Sequence, residues 1–227
     1  MKTIILLFFS FITFAHAQKP IILDASYEHD KWQTTPRDMI RQFAAYTSSF
    51  DGPDDNDGDG EPDTLGIPEW VSFEIKKVSV FYKLHVRPRW FTDDVLHDSK
   101  IAPNTETYKV SDIKEIKGLI TDYRFVRGHM CPKKTAERIS KNAAYNTHSI
   151  VNACPQLQWQ NNGIWKKLEK KCLNWADKYN RIWVICGPVF AKRSPAMWLG
   201  QDGEIKAAIP DAFFKIVIRE SGNSVET

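Results

Sequence analysis

Arg127 and His129 stand two residues apart with Gly128 between them. On an extended chain, residues i and i+2 point to the same side, so a guanidinium and an imidazole would share one face. The glycine lets a ligand approach the backbone between them. An imidazole exchanges protons near neutral pH, and a guanidinium matches the geometry of phosphate oxygens. Further on, Asn161, Trp165, Leu168 and Cys172 recur at helical spacing, with Glu169 on the border of that stripe. Asn161 is therefore a neutral polar group at the head of an apolar face, and such a group needs a partner. On spacing alone, Asn161 or Asn162 reads as a helix N-cap. His29, His85, His97 and His148 have no comparable neighbours in sequence and read as surface or satisfied core residues.

A second chemistry lies in Asp55-Asn56-Asp57-Gly58-Asp59-Gly60-Glu61-Pro62-Asp63. Oxygen ligands on alternate residues can converge on one hard cation, and Gly60 permits the turn between them. An EF-hand would carry a bidentate Glu where Gly66 stands, so this is not one. The segment resembles the shorter calcium loops of thrombospondin type 3 and dockerin-like repeats. Asp55, Asp57, Asp59 and Asp63 are the expected ligands of a structural Ca²⁺, since no His or nucleophile lies beside them.

The elements that would position these groups are only partly periodic. Thr35-Pro36 followed by Met39, Ile40, Phe43 and Ala44 predicts a helix. Pro68-Glu69 through Trp70 and Phe73 to Lys76-Lys77 predicts another, with acid first and base last. Val78 to Val86 mixes apolar and polar residues and predicts a strand. A helix opens near Asn161, and the runs Trp183 to Cys186 and Phe213 to Ile218 predict strands. Without a βαβα rhythm, the expected class is α+β.

The first seventeen residues have a basic start, an apolar run from Ile4 to Ala15 and an Ala15-His16-Ala17 end, the pattern of a cleaved secretory signal. The apolar run falls short of the ~20 residues a membrane span needs. Export to the periplasm or the exterior, with no membrane attachment after cleavage, is the resulting expectation. Cys131, Cys154, Cys172 and Cys186 would then form two disulfides in one of three pairings, of which Cys131–Cys154 with Cys172–Cys186 is the one favoured. Charge is uneven: residues 18–100 carry 10 Lys/Arg against 16 Asp/Glu, whereas residues 101–227 carry 20 against 12. An acidic site in the first part and a polyanion partner for the second fit that division.

The blocks VRGHMCP, NACPQ, NxxxWxxLE and WVICGPVF together resemble the DNA/RNA non-specific endonucleases, in particular a secreted bacterial branch related to endonuclease G. That resemblance implies an α+β fold with a mixed or antiparallel sheet core, packed helices and a ββα-metal (His-Me finger) site. It also implies hydrolysis of DNA and RNA phosphodiesters without sequence preference, giving 5′-phosphate ends. Residue by residue, His129 matches the general base, Asn161 the direct ligand to Mg²⁺ (or Mn²⁺), Arg127 the arginine at the phosphate, and Glu169 the acid that holds the metal's waters. The family motif usually begins with Asp where this chain has Val126. Residues 18–77 read as an N-terminal segment with the acidic loop at 51–66, and residues 78–227 as the nuclease domain, ending short of where relatives continue. Two other readings fit parts of the chain: a non-catalytic, calcium-dependent polyanion-binding module, and a hydrolase using Cys131 as nucleophile.

Overall fold

The computed structural model describes residues 18–32, 39–52, 54, 64–108, 125–191, 195, 197–221 and 224–226. In chain order its elements begin with the strands β1 (Met39–Phe43), β2 (Tyr46–Phe50) and β3 (Trp70–Lys76) and the short helix α1 (Asp94–Asp98). Strand β4 (Phe125–His129), helices α2 (Lys133–Ala136) and α3 (Lys141–Asn146), and strand β5 (Ala153–Leu157) follow. A helical turn, α4 (Gln158–Gln160), leads through Asn161–Trp165 into the long helix α5 (Lys166–Tyr179). The chain closes with β6 (Arg181–Val189), β7 (Trp198–Leu199), β8 (Ala207–Ala208), β9 (Ala212–Ser221) and β10 (Ser224–Glu226).

Six strands make one antiparallel sheet in the order β1-β2-β3-β6-β9-β10, while β4 pairs with β5 and β7 with β8. This is the expected α+β class. Residues 39–76, read from the sequence as a segment ahead of the nuclease domain, supply three strands of that sheet. β3 and β6 are direct neighbours, with Lys76 opposite Arg181. The described residues between them, within 77–180, add no strand to this sheet. That stretch carries the β4–β5 hairpin and α5, and α5 packs back on β6 and β3.

Two segments expected to be helical differ. Residues 39–43 form β1, and residues 70–76 form the central strand β3. Six of the seven β3 residues are buried, including Trp70, Val71, Phe73 and Ile75. β-branched and aromatic residues favour a strand covered on both faces, and that burial outweighs the helix-like charge order at the segment's ends. Conversely, residues 78–86 form no strand; their large side chains are mostly exposed, and backbone pairing is confined to contacts with Glu137.

The four cysteines are free and buried, which corrects the disulfide expectation and both of its pairings. They belong to one continuous apolar core. Cys131 Sγ donates to Ala45 O at 3.6 Å and Cys186 Sγ to Met130 O at 3.4 Å, so these thiols behave as small apolar side chains with weak donors. The acidic loop 55–63 and residues 1–17 lie outside the described residues, so the calcium ligands Asp55, Asp57, Asp59 and Asp63 have no place in this description. No helix among the described residues is long and apolar enough to cross a membrane.

Candidate active site

The hairpin sets His129 at the end of β4, opposite Ala153, with Gly128 opposite Cys154. Its end is locked by Asn152, which is fully buried. Asn152 Oδ1 accepts from Cys131 N at 2.8 Å, and its Nδ2 donates to Cys131 O at 2.8 Å and Thr147 O at 2.9 Å. Trp165 Nε1 donates to His129 O at 2.9 Å, fastening the helical segment to the same strand end.

The His129 ring packs against Trp90, with centroids 4.5 Å apart, and edge-on against His148 at 4.7 Å. Its Nε2 is sealed from solvent and has no hydrogen-bond partner among the described residues. Burial, reinforced by His148, Arg87 and Lys133, holds its pKa well below the ordinary imidazole range. The ring is therefore neutral near pH 7 and able to accept a proton. His148 is itself pulled down to about 4, chiefly by burial, with Arg87 and Lys133 adding to the effect. The sequence set His148 aside; the fold places it against the central imidazole.

Gly128 has a specific reason to be glycine. A Cβ there would sit 2.1 Å from Gln156 Oε1, so only glycine lets the buried Gln156 side chain cross β4. Gln156 Oε1 in turn accepts from Asn161 Nδ2 at 2.7 Å, which leaves the Asn161 carbonyl oxygen for another partner. Asn161 is not an N-cap: the helical stretch starts at Gln158, and Asn161 opens a wide π-type turn, Asn161–Trp165, kinked at Gly163. Such turns inside helices concentrate at functional sites. Here it separates Asn161 from the regular helix that carries Glu169.

Burial pushes the Glu169 carboxyl up to about 7, against the opposing pull of Lys215, Lys134 and Lys166. Lys215, on β9, also lies 4.0 Å above the Trp165 ring. Arg127 shares the β4 strand with His129, but its guanidinium turns to Thr105 O at 2.5 Å and to the Tyr108 ring at 5.4 Å. Its Nε is buried without a partner, and burial lowers its pKa. The structure thus joins Asn161 to Gln156 and packs Gln156 against Gly128, the chain neighbour of His129, with Glu169 on the helix that follows the turn. Gln156, Trp90, His148 and Lys215 were missed by local spacing. For Gln156 the NACPQ block was the available signal.

A divalent ion fits this donor set. Among the described residues no three or more His, Cys, Asp or Glu side chains gather into a metal cage. One free amide oxygen and one carboxylate suit Mg²⁺, which keeps several of its waters. The Cys131 nucleophile reading has no support: the thiol is fully buried and its pKa is driven well above the normal thiol range.

A sequence model of the DNA/RNA non-specific endonucleases matches residues 61–227. The chain belongs to this family. Among its relatives, mitochondrial nuclease EXOG of Danio rerio is 25% identical over 179 residues, covering 70% of this chain and 51% of the relative. Mitochondrial endonuclease G of Homo sapiens is 32% identical over 114 residues, covering 46% of this chain and 38% of the relative. The chain therefore spans about half or less of the curated relatives it matches. A solved structure of an EndoG/EndoGI complex aligns with TM-score 0.54 at 19% identity, over 81% of this chain and 69% of that one, and shows the shared fold. These relatives are mitochondrial nucleases, which points away from the secreted or periplasmic location expected from residues 1–17 and corrects it.

Proposed function

We propose that this chain is a metal-dependent endonuclease that hydrolyses phosphodiester bonds of DNA and RNA without regard to sequence and leaves 5′-phosphate ends. The observation that carries the reading is the unpartnered, neutral His129 imidazole, joined through Gly128 and Gln156 to an Asn161 whose carbonyl oxygen is free. His129 takes a proton from the attacking water. Its Nε2 is sealed, so Nδ1 is the nitrogen that receives the proton. Asn161 would hold the ion directly, and Glu169 would hold its waters. When bound, Mg²⁺ supplies charge stabilisation at the phosphate and a coordinated water for the leaving oxygen. Arg127 binds the phosphate, its reach set by Thr105 and Tyr108. Phosphate contacts carry no base information, which accounts for indifference to sequence. Incubation of the purified chain with plasmid and with RNA tests the reading. Cleavage of both in Mg²⁺ and of neither in EDTA is expected; cleavage that persists in EDTA contradicts it.

The spacing of Asp55, Asp57, Asp59 and Asp63 supports a separate, structural Ca²⁺ in the acidic loop. Calcium is expected to raise the melting temperature of the wild type but not of Asp57→Ala. Equal shifts in both proteins would remove the site.

A further inference from the structure

The segment between β3 and the active site has a composition and an exposure that the fold does not require. From Val78 to Thr92 there is no Asp or Glu, while Lys83, Arg87 and Arg89 are cationic and His85 is titratable. The segment is neither strand nor helix. Its first part is tied down at Glu137, where Tyr82 N donates to Glu137 O at 2.7 Å and Leu84 N to Glu137 Oε1 at 3.2 Å, and its end is fixed where Phe91 N donates to His148 O at 3.1 Å. Leu84 and Trp90 turn inward against the core. Phe81 and Tyr82 face out with 48% and 41% of their surface exposed. Lys83, Arg87 and Arg89 are exposed and form no ion pair among the described residues. The segment then runs directly into the site, since Trp90 stacks on His129 and Arg87 acts electrostatically on both His129 and His148.

Two adjacent exposed aromatic rings followed by three exposed cations, with no acid in the segment and no ion pair among the described residues, lead into the proposed phosphodiesterase site and suit an unpaired polynucleotide. The cations follow the backbone phosphates, and the rings take base faces that a duplex keeps stacked internally. A duplex offers this surface only its phosphates. We infer that residues 80–89 form a binding track for single-stranded nucleic acid leading to the site, in which Phe81 and Tyr82 stack on bases some distance along the strand from the scissile phosphate and Lys83 and Arg89 meet the backbone. The inference rests on the nuclease reading of the site and adds a strand preference to it.

The track is tested by fluorescence anisotropy on the full chain carrying His129→Ala, so that substrate survives, with labelled oligothymidylate of about 15 nucleotides, the upper site size of single-strand binding folds. A duplex of the same length is measured in parallel. Adding Tyr82→Ala should weaken oligothymidylate binding by about 5- to 100-fold, the range for one lost stacked base, and leave duplex affinity nearly unchanged. Tyr82→Phe should bind like the parent, which separates stacking from hydroxyl or folding effects. Phe81→Ala should behave like Tyr82→Ala. Its ring also lies against the Arg138 guanidinium, so Tyr82 carries the decision if the Phe81 variant unfolds. Equal loss for single strand and duplex would overturn the inference. So would unchanged binding, or an effect of ring removal on sedimentation alone, which would make the surface a contact with a second copy. Plasmid cleavage by the wild type separates the two claims. A chain that cuts but binds oligothymidylate without regard to Tyr82 loses only the track, whereas one that binds through Tyr82 but never cuts loses the nuclease reading.

Discussion

His29 and His129 are both shielded imidazoles with depressed pKa values, yet their surroundings differ in kind. At His29, Nδ1 accepts from Glu74 N at 3.0 Å and Nε2 faces Ala44 O at 3.1 Å, so both nitrogens are satisfied. The neighbouring Glu74 carboxylate, fully buried, accepts from Arg181 Nε at 2.5 Å and from Glu28 N at 2.6 Å. That cluster ties the N-terminal residues to the sheet and leaves nothing free for a ligand. At His129, Nε2 has no described partner; Gln156 Nε2 and Arg127 Nε, close by in the fold, are likewise buried without one. An orphaned buried polar atom costs roughly 1–3 kcal/mol. Three of the seven such atoms among the described residues lie around this one hairpin, the grouping expected where stability is given up for function, while burial alone marks nothing.

This contrast gives unequal outcomes for substitutions. Asn161→Ala should have the largest effect: a rate loss of about 10²–10³-fold, typical of removing one electrostatic stabiliser, with a urea midpoint lowered only by the roughly 1–3 kcal/mol that stranding the buried Gln156 Oε1 costs. Part of the loss should return at high Mg²⁺, and a rate that ignores Mg²⁺ concentration would mean that Asn161 does not hold the ion. Gly128→Ala forces Gln156 off its place and should lower the rate by about 10- to 100-fold, as loss of a supporting partner does. If Gly128→Ala cuts at the wild-type rate, the Gln156 link to Asn161 is irrelevant to catalysis.

A third outcome concerns stability and pH rather than rate. With a folded pKa of about 4 against an unfolded value near 6.5, His148 binds a proton in the unfolded chain first. Its contribution to stability is complete above pH 6.5 and is lost as pH falls toward 4, on the order of 2–3 kcal/mol. Urea melts between pH 7 and 4 should show that decline, and His148→Gln should make it shallower, the part due to His129 and His29 remaining. An equally steep decline in the variant would assign the effect to other groups.

The candidate site lies in compact motifs; the scaffold does not. Arg127, His129, Asn161 and Glu169 are residue types that suggest their chemistry at short spacing, and the fold joins Asn161 to Gln156 and Gln156 to the Gly128 beside His129. Trp90, His148 and Lys215 join them only through the fold, across separations that no local spacing reveals. β3 was misread because its end charges imitate a helix, while its burial between β2 and β6 depends on strands elsewhere in the chain. The disulfide expectation followed from an even cysteine count and an assumed export route, and neither bears on how thiols pack in a core.

The most direct measurement pairs the two imidazoles. His129→Ala and His29→Ala are each assayed for plasmid nicking in Mg²⁺ and for urea midpoint. His129→Ala should lose about 10²–10⁴-fold in rate, the contribution of a positioned general base, with its midpoint essentially kept. His29→Ala, which strands Glu74 N and Ala44 O, should lose roughly 2–5 kcal/mol of stability while its remaining folded fraction nicks at the normal rate. A folded His129→Ala protein that nicks plasmid as fast as wild type would contradict the account.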